Sequence, residues 1–170
     1  MKACKAIPFA LSLCSVLLLL GHNDLNAQHI DIGIKYIQGI NDGRNWEFFK
    51  GGTEVSADYI FVIKDYKVNT GLDYRTVQWG NQLSISTGII KELGTKYEIA
   101  AEIQNGLALF YSQSLYVFSG GLKFNYNFYQ KGKVVVGLSL ETRYTLCPAY
   151  KNYSLIYKVL EIPIGAFVRF

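Results

Sequence analysis

Charge is scarce in this sequence. Asp, Glu, Lys and Arg make up 18% of its 170 residues, against about 25% in ordinary soluble domains. What charge there is nearly cancels: the formal +4 of the whole chain becomes +3 once Lys2, Lys5 and Asp24 leave with the N-terminal leader described below. So small an excess, with its basic residues scattered, speaks against a nucleic-acid partner. Histidine is rarer still, and beyond the leader only His29 remains. Acyl-transfer catalysis of the Ser–His kind therefore has no base except beside the mature N-terminus. Of three cysteines, Cys4 and Cys14 fall in the leader, and Cys147 stands alone. A single thiol forms no internal disulfide, and without a His/Cys cluster it binds no structural metal. No cofactor is expected.

Long apolar runs are absent except at the start. Ile7 to Leu20 is fourteen residues, a helical rise of about 21 Å, short of the roughly 30 Å hydrocarbon core of a bilayer. Lys2 and Lys5 precede this run, and a short polar segment ending at Ala27 follows it. That order is the layout of a secretory signal peptide, residues 1–27, with 28–170 as a single mature domain. Cys14 does not suit lipoprotein processing, because Leu13 precedes it and the apolar run continues beyond it.

The mature chain is rich in alternation with period two. Ile30, Ile32, Ile34 and Tyr36 interleave with Asp31, Gly33 and Lys35; Val55 to Ile63 alternate with Glu54, Ser56 and Asp58. Further runs carry Val68 to Thr76, Leu83 to Ile89, Tyr97 to Ile103, Tyr116 to Phe128, Val134 to Tyr144 and Leu160 to Phe170. Such alternation reads as half-buried strands. Eight of them predict an all-β, antiparallel up-and-down barrel, and an even count returns both termini to one side.

Which face meets solvent is decided by what lies opposite the apolar residues. Gly33, Gly71, Gly88, Gly121, Gly137 and Gly165 fall there with Ser56, Ser84, Ser86, Ser119 and Ser139. Small residues suit the narrow interior of an eight-stranded barrel, whereas a solvated outer face does not need them. The same face carries Asp31, Lys35, Glu54, Asp58, Asp73, Arg75, Glu98, Glu102, Lys123, Glu141, Arg143, Glu161 and Arg169, while Lys158 is the one candidate for a base on the apolar face. A Lys or Arg facing lipid at mid-membrane costs about 2–4 kcal/mol, which makes this sorting the expected one for a transmembrane barrel with a charged interior. Connections after strands two, four and six are short. Three of the other four are expected to be longer: Gln38–Thr53, about Asn105–Ser114, and Leu146–Tyr153, with a tight turn near Gly80 as the exception. Tyr36, Tyr97, Phe124, Tyr126, Phe128 and Tyr144 gather near strand ends, as interfacial girdles do.

The chain closes on Phe170, with Val168 and Ala166 behind it at steps of two. This pattern resembles the terminal strand of outer-membrane proteins, which the barrel-assembly machinery reads. Strand count, loop pattern and terminal strand together resemble the small eight-stranded outer-membrane barrels of the OmpA and OmpX type. The resemblance implies a location in the outer membrane of a Gram-negative bacterium, lipid as the surrounding partner, and a monomer.

Three candidate sites follow. The interior charges should form a structural plug. Within it, Glu98 and Glu102 share a strand face, and Asp58 and Asp73 come close to opposite each other. The latter two are expected to be neutralised by Arg75, Lys35 or Arg169, or else one of them stays protonated. Trp46, Phe48 and Phe49 place apolar area on the connection 38–53, a candidate contact for a surface partner. Six lysines in the short turns suggest a solvated rim. The leading expectation is a structural or surface-interaction barrel with no catalytic or metal site. Its alternative is a soluble exported lipocalin-like barrel with an apolar ligand inside, and a lipid-modifying enzyme or narrow ion pore comes third.

Overall fold

The computed structural model describes residues 26–40, 51–63, 66–77, 80–110, 113–147 and 157–170. They form eight strands: β1 (Asn26–Ile40), β2 (Gly52–Ile63), β3 (Tyr66–Val77), β4 (Gly80–Glu92), β5 (Tyr97–Phe110), β6 (Gln113–Lys131), β7 (Val134–Cys147) and β8 (Tyr157–Arg169). Each pairs antiparallel with its sequence neighbour, and β1 pairs with β8 to close the barrel. Closure satisfies the backbone all the way round, the condition for crossing a bilayer with strands. At the seam the terminal residue takes part: Ile30 N donates to Phe170 O at 3.1 Å, and Phe170 N to Ile30 O at 2.9 Å.

The ladder is staggered. Followed once round from Asp31 through Asp58, Gly71, Ser86, Gln104, Ser119 and Thr145, it arrives at Val159, whereas the residue that pairs with Asp31 across the seam is Arg169. A stagger of ten residues over eight strands, with the usual strand rise and spacing, tilts the strands by about 41°. Within β8, Pro163 points inward and lacks a ladder donor, and β7–β8 pairing skips from Ile164 to Glu161 around it.

The apolar residues face out and the charged residues face in. Ile32 and Leu122 are 50% and 57% exposed, while Arg143 and Glu161 are 1% and 0% exposed. A soluble carrier needs the reverse arrangement, so the lipocalin-like alternative does not survive. Both ends of the lumen carry apolar residues on the inward register. Ile60, Ile90 and Ala100 cluster toward the turn end, and Ile37, Ala108, Val117 and Val159 lie toward the opposite end. Rings gather on the outside near both ends, Tyr36, Tyr74 and Tyr144 at one and Tyr66, Tyr97, Phe124 and Phe128 at the other.

One expected loop does not exist. Asn105-Gly106 has the composition of a connection, yet β5 runs on to Phe110, and only residues 111–112 separate it from β6. The alternation continues through Leu107 and Leu109 outward and Ala108 inward. Gly106 serves close packing: a Cβ there would lie 2.3 Å from Leu83 O. Asn105 is tolerated on the outer face because Tyr116 Oη donates to its side-chain oxygen. The strands thus leave longer connections only at 41–51 and 148–156. On the other side the turns are tight, and Gly94 and Gly132 supply φ of +101° and +60°, values that primed hairpin turns and their relatives require.

Candidate functional site

All thirteen charged residues assigned from sequence to the inner face are buried in the lumen. Twelve of them sort into four groups along the barrel, and Asp73 stands outside these groups. At the centre, Arg143 and Lys35 meet Glu54 and Glu141. The Arg143 guanidinium donates from Nη1 and Nη2 to Glu54 at 2.7 and 3.0 Å, and from Nε and Nη2 to Glu141 at 2.7 and 2.9 Å. Lys35 Nζ completes the square, 3.1 Å from Glu54 and 3.2 Å from Glu141. Two cations and two anions balance here, and the forked geometry uses most of the guanidinium donors.

Two further groups each hold one cation between two carboxylates. Lys123 Nζ lies 3.0 Å from Glu102 and 3.4 Å from Asp58; Asn69 Nδ2 adds a hydrogen bond to Glu102, and Ser86 Oγ one to Asp58. Nearer the turn end, Arg169 grips Asp31 at 2.7 and 2.9 Å and Glu98 at 2.6 and 2.9 Å. Its guanidinium stands 5.5 Å from the centre of the Phe167 ring. That ring lies over Gly137 on the adjacent strand, where a Cβ would meet Phe167 Cζ at 2.4 Å. The fourth group is Arg75 Nη1 with Glu161 at 2.6 Å, and Thr145 Oγ1 donates to the other Glu161 oxygen at 3.0 Å.

The partners differ from those expected for the Asp58–Asp73 pair. Asp58 pairs with Gly71, and Asp73 with Ser56, so the two carboxylates sit one inward step apart on the diagonal. Neither is neutralised by Arg75, Lys35 or Arg169. Asp58 is met across the lumen by Lys123, and Asp73 has no ion pair, with its Oδ2 unpartnered. The reason is reach: Arg75 lies two residues further toward the loop end and extends across to β8, while Lys35 and Arg169 are drawn to carboxylates at their own levels. Glu98 and Glu102, neighbours on one strand face, are likewise divided between Arg169 and Lys123. Eight carboxylates against five cations leave the lumen rich in acid. Buried polar atoms without partners, including Nε and Nη2 of Arg75 and both side-chain polar atoms of Gln104, mark where the pairing is incomplete.

Of the uncharged members of this network, Ser86 is among the inward residues legible in the sequence, and Asn69, Asn125 and Thr145 share its face without being expected as site residues. Their inward parity was the available signal. Among the described residues no group of three or more His, Cys, Asp or Glu side chains is arranged to hold a metal. His29 lies on β1 toward the turn end. Trp46, Phe48 and Phe49, the leader through Leu25, and the side chains of Cys147 and Lys158 lie outside the described residues. The cleavage expected after Ala27 would fall just inside the start of β1. Phe170, Val168 and Ala166 occupy the outward register of β8, with Phe170 exposed.

No protein-family model matches the sequence, and no curated protein is similar to it in sequence. Solved structures do match. Neisserial surface protein A (NspA) superposes with a TM-score of 0.54 at 12% identity, over 83% of this chain and 94% of that one. Ail, the attachment invasion locus protein of Yersinia pestis, in complex with the heparin analogue sucrose octasulfate, superposes with a TM-score of 0.50 at 16% identity, over 85% of this chain and 100% of that one. At such identities the likeness concerns architecture, and together with the closed antiparallel ladder and the outward apolar face it shows that this chain has the fold of the small eight-stranded outer-membrane β-barrels.

Proposed function

We propose that the protein resides as a monomer in the outer membrane of a Gram-negative bacterium and works as a structural or surface-interaction barrel, without catalysis and with a lumen plugged by its own ion pairs. The observation that carries this reading is the arrangement of the interior. Twelve of the thirteen inward charges are held in ion pairs spanning from strand to strand, and a low-dielectric outer face surrounds them. Carboxylates tied to cations in this way are poorly placed for acid–base work. His29, the one mature histidine, sits at the end away from the long connections.

In this reading residues 1–27 direct export and are removed, and 28–170 form the barrel. Assembly is guided by Phe170, Val168 and Ala166 on the outer face of the last strand. The tight turns face the periplasm and the longer connections face outward. The segment 38–53, with Trp46, Phe48 and Phe49, is then the surface available to a partner. Attachment, the activity in Ail's name, is the kind of role this assigns.

Three experiments test it. The protein should fractionate with the outer membrane and show heat-modifiable mobility in detergent gels, and purified protein should give no steady large conductance in planar bilayers. A soluble fraction would refute the location, and porin-sized channels would refute the plug. Replacing Trp46, Phe48 and Phe49 by Ala should leave the barrel assembled and abolish surface binding; unchanged binding would end the assignment of that segment.

A further inference from the structure

Among the described side chains, every charge outside the lumen lies at one end of the barrel: Lys67, Lys91, Glu92, Lys96, Lys131 and Lys133. Glu92 is engaged by Lys67, which leaves Lys91, Lys96, Lys131 and Lys133 exposed and without an acidic neighbour in an ion pair. Lys91 and Lys96 flank the β4–β5 turn, and Lys131 and Lys133 flank Gly132 in the β6–β7 turn. The two turns belong to one flank, because Asn127 N donates to Lys96 O at 2.7 Å and ties the first turn to β6.

An aromatic layer lies directly beneath these lysines. The Tyr97 ring stacks between Phe124 and Tyr126, with centroids 5.8 and 5.3 Å away. A bulge between Asn127 and Tyr129 shifts the register of β6 and turns two successive rings, Phe128 and Tyr129, to the outside. Leu93 is exposed at the neighbouring turn. Tyrosine-rich belts of this kind sit at the level of lipid headgroups, and lysines just beyond them extend apolar stems along the interface with the ammonium at phosphate depth.

We propose that this lysine arc is a binding surface for anionic phospholipid headgroups of the leaflet that meets the turn end. The four ammonium groups supply positive charge where a phosphodiester lies, and the ring layer fixes their depth. Among the described residues the carboxylates at this rim are Glu92, engaged by Lys67, and the single α-carboxylate of Phe170 beside the β6–β7 turn, so the lysines stay in excess. A lysine near an anionic membrane surface is worth roughly a five-fold bias before screening, and salt reduces it because the site is exposed.

The inference rests on the barrel spanning a bilayer, and its test keeps the two apart. The full-length mature protein is reconstituted in phosphatidylcholine bilayers carrying a trace of spin-labelled phosphatidylglycerol or spin-labelled phosphatidylcholine. The motionally restricted fraction of each gives their relative association. Phosphatidylglycerol should be favoured several-fold at low salt. The ratio should approach one in 1 M NaCl and in the combined variant Lys91→Gln/Lys96→Gln/Lys131→Gln/Lys133→Gln, and should persist when the same four positions become Arg. These side chains are exposed and take no part in the lumen network, so circular dichroism should show an intact barrel in every variant. Equal association of the two lipids with wild type, or a phosphatidylglycerol preference that survives in the Gln variant, overturns the proposal. Failure to insert into phosphatidylcholine alone would instead overturn the membrane reading on which it stands.

Discussion

Arg143→Met would remove one of the two cations from the square it forms with Lys35, Glu54 and Glu141, and the structure allows the consequence to be worked out. Four hydrogen bonds of 2.7 to 3.0 Å disappear. Two buried carboxylates are left to one ammonium, which is already 3.1 and 3.2 Å from them. One negative charge of the square is then uncompensated, in a lumen already rich in acid. A pair of opposite charges at this separation is worth about 4 kcal/mol at an effective dielectric constant near 20, and breaking buried pairs costs about 3–5 kcal/mol in practice. The folding equilibrium constant should therefore fall at least a hundred-fold. Adding Glu54→Gln removes the stranded charge and leaves Lys35 with Glu141 as a balanced pair. The double variant should be more stable than Arg143→Met alone by about 2 kcal/mol, a coupling that independent sites would not show. Urea titrations in lipid vesicles, followed by tryptophan fluorescence and gel mobility, measure both quantities. If Arg143→Met lies within about 0.5 kcal/mol of wild type, or the double variant loses the sum of the two single losses, the account of the plug is wrong.

Sidedness makes a separate demand: Leu122→Arg should destabilise the barrel by about 2–4 kcal/mol in vesicles, because Leu122 faces outward in the middle of β6, whereas a chain with its core inside would tolerate it; the same titration decides. Gly165→Ala should prevent or strongly weaken assembly, since its Cβ would lie 2.1 Å from Ile34 O and 2.7 Å from Lys35 Cα, while Gly120→Ala, with its nearest neighbour at 3.9 Å, should assemble normally; heat-modifiable mobility separates the two. Tyr116→Phe should cost about 1–3 kcal/mol by stranding the Asn105 side chain on the apolar face, and adding Asn105→Leu should recover most of it. Equal stability of Tyr116→Phe and wild type would show that the hydroxyl does not support Asn105.

The lumen network explains why the comparison between sequence and structure divides as it does. Alternation is a local property, fixed by the pleat of each strand, so the eight strands, the inward charges from Asp31 to Arg169 and most of the outward set from Ile30 to Phe170 were legible residue by residue; Phe61, outward by alternation, is buried. The same rule misled where a turn-like pair interrupted it. Asn105-Gly106 has the composition of a loop, and only the contact of Gly106 with the Leu83 and Ser84 backbone and the hydrogen bond from Tyr116 show why the strand continues. The apolar ends of the lumen follow the same parity at Ile37, Ile60 and Val159.

Partner choice was not local. That Arg143 serves Glu54, Arg169 serves Asp31, and Asp73 is left without a cation depends on contacts between residues as far as 138 positions apart. These contacts follow from the ten-residue stagger, which sets the height of each strand against the one across the lumen. A strand's own sequence states which way a side chain points and how long it is. It carries no record of the level at which the opposite wall will present a charge, and that was decided only when the barrel closed.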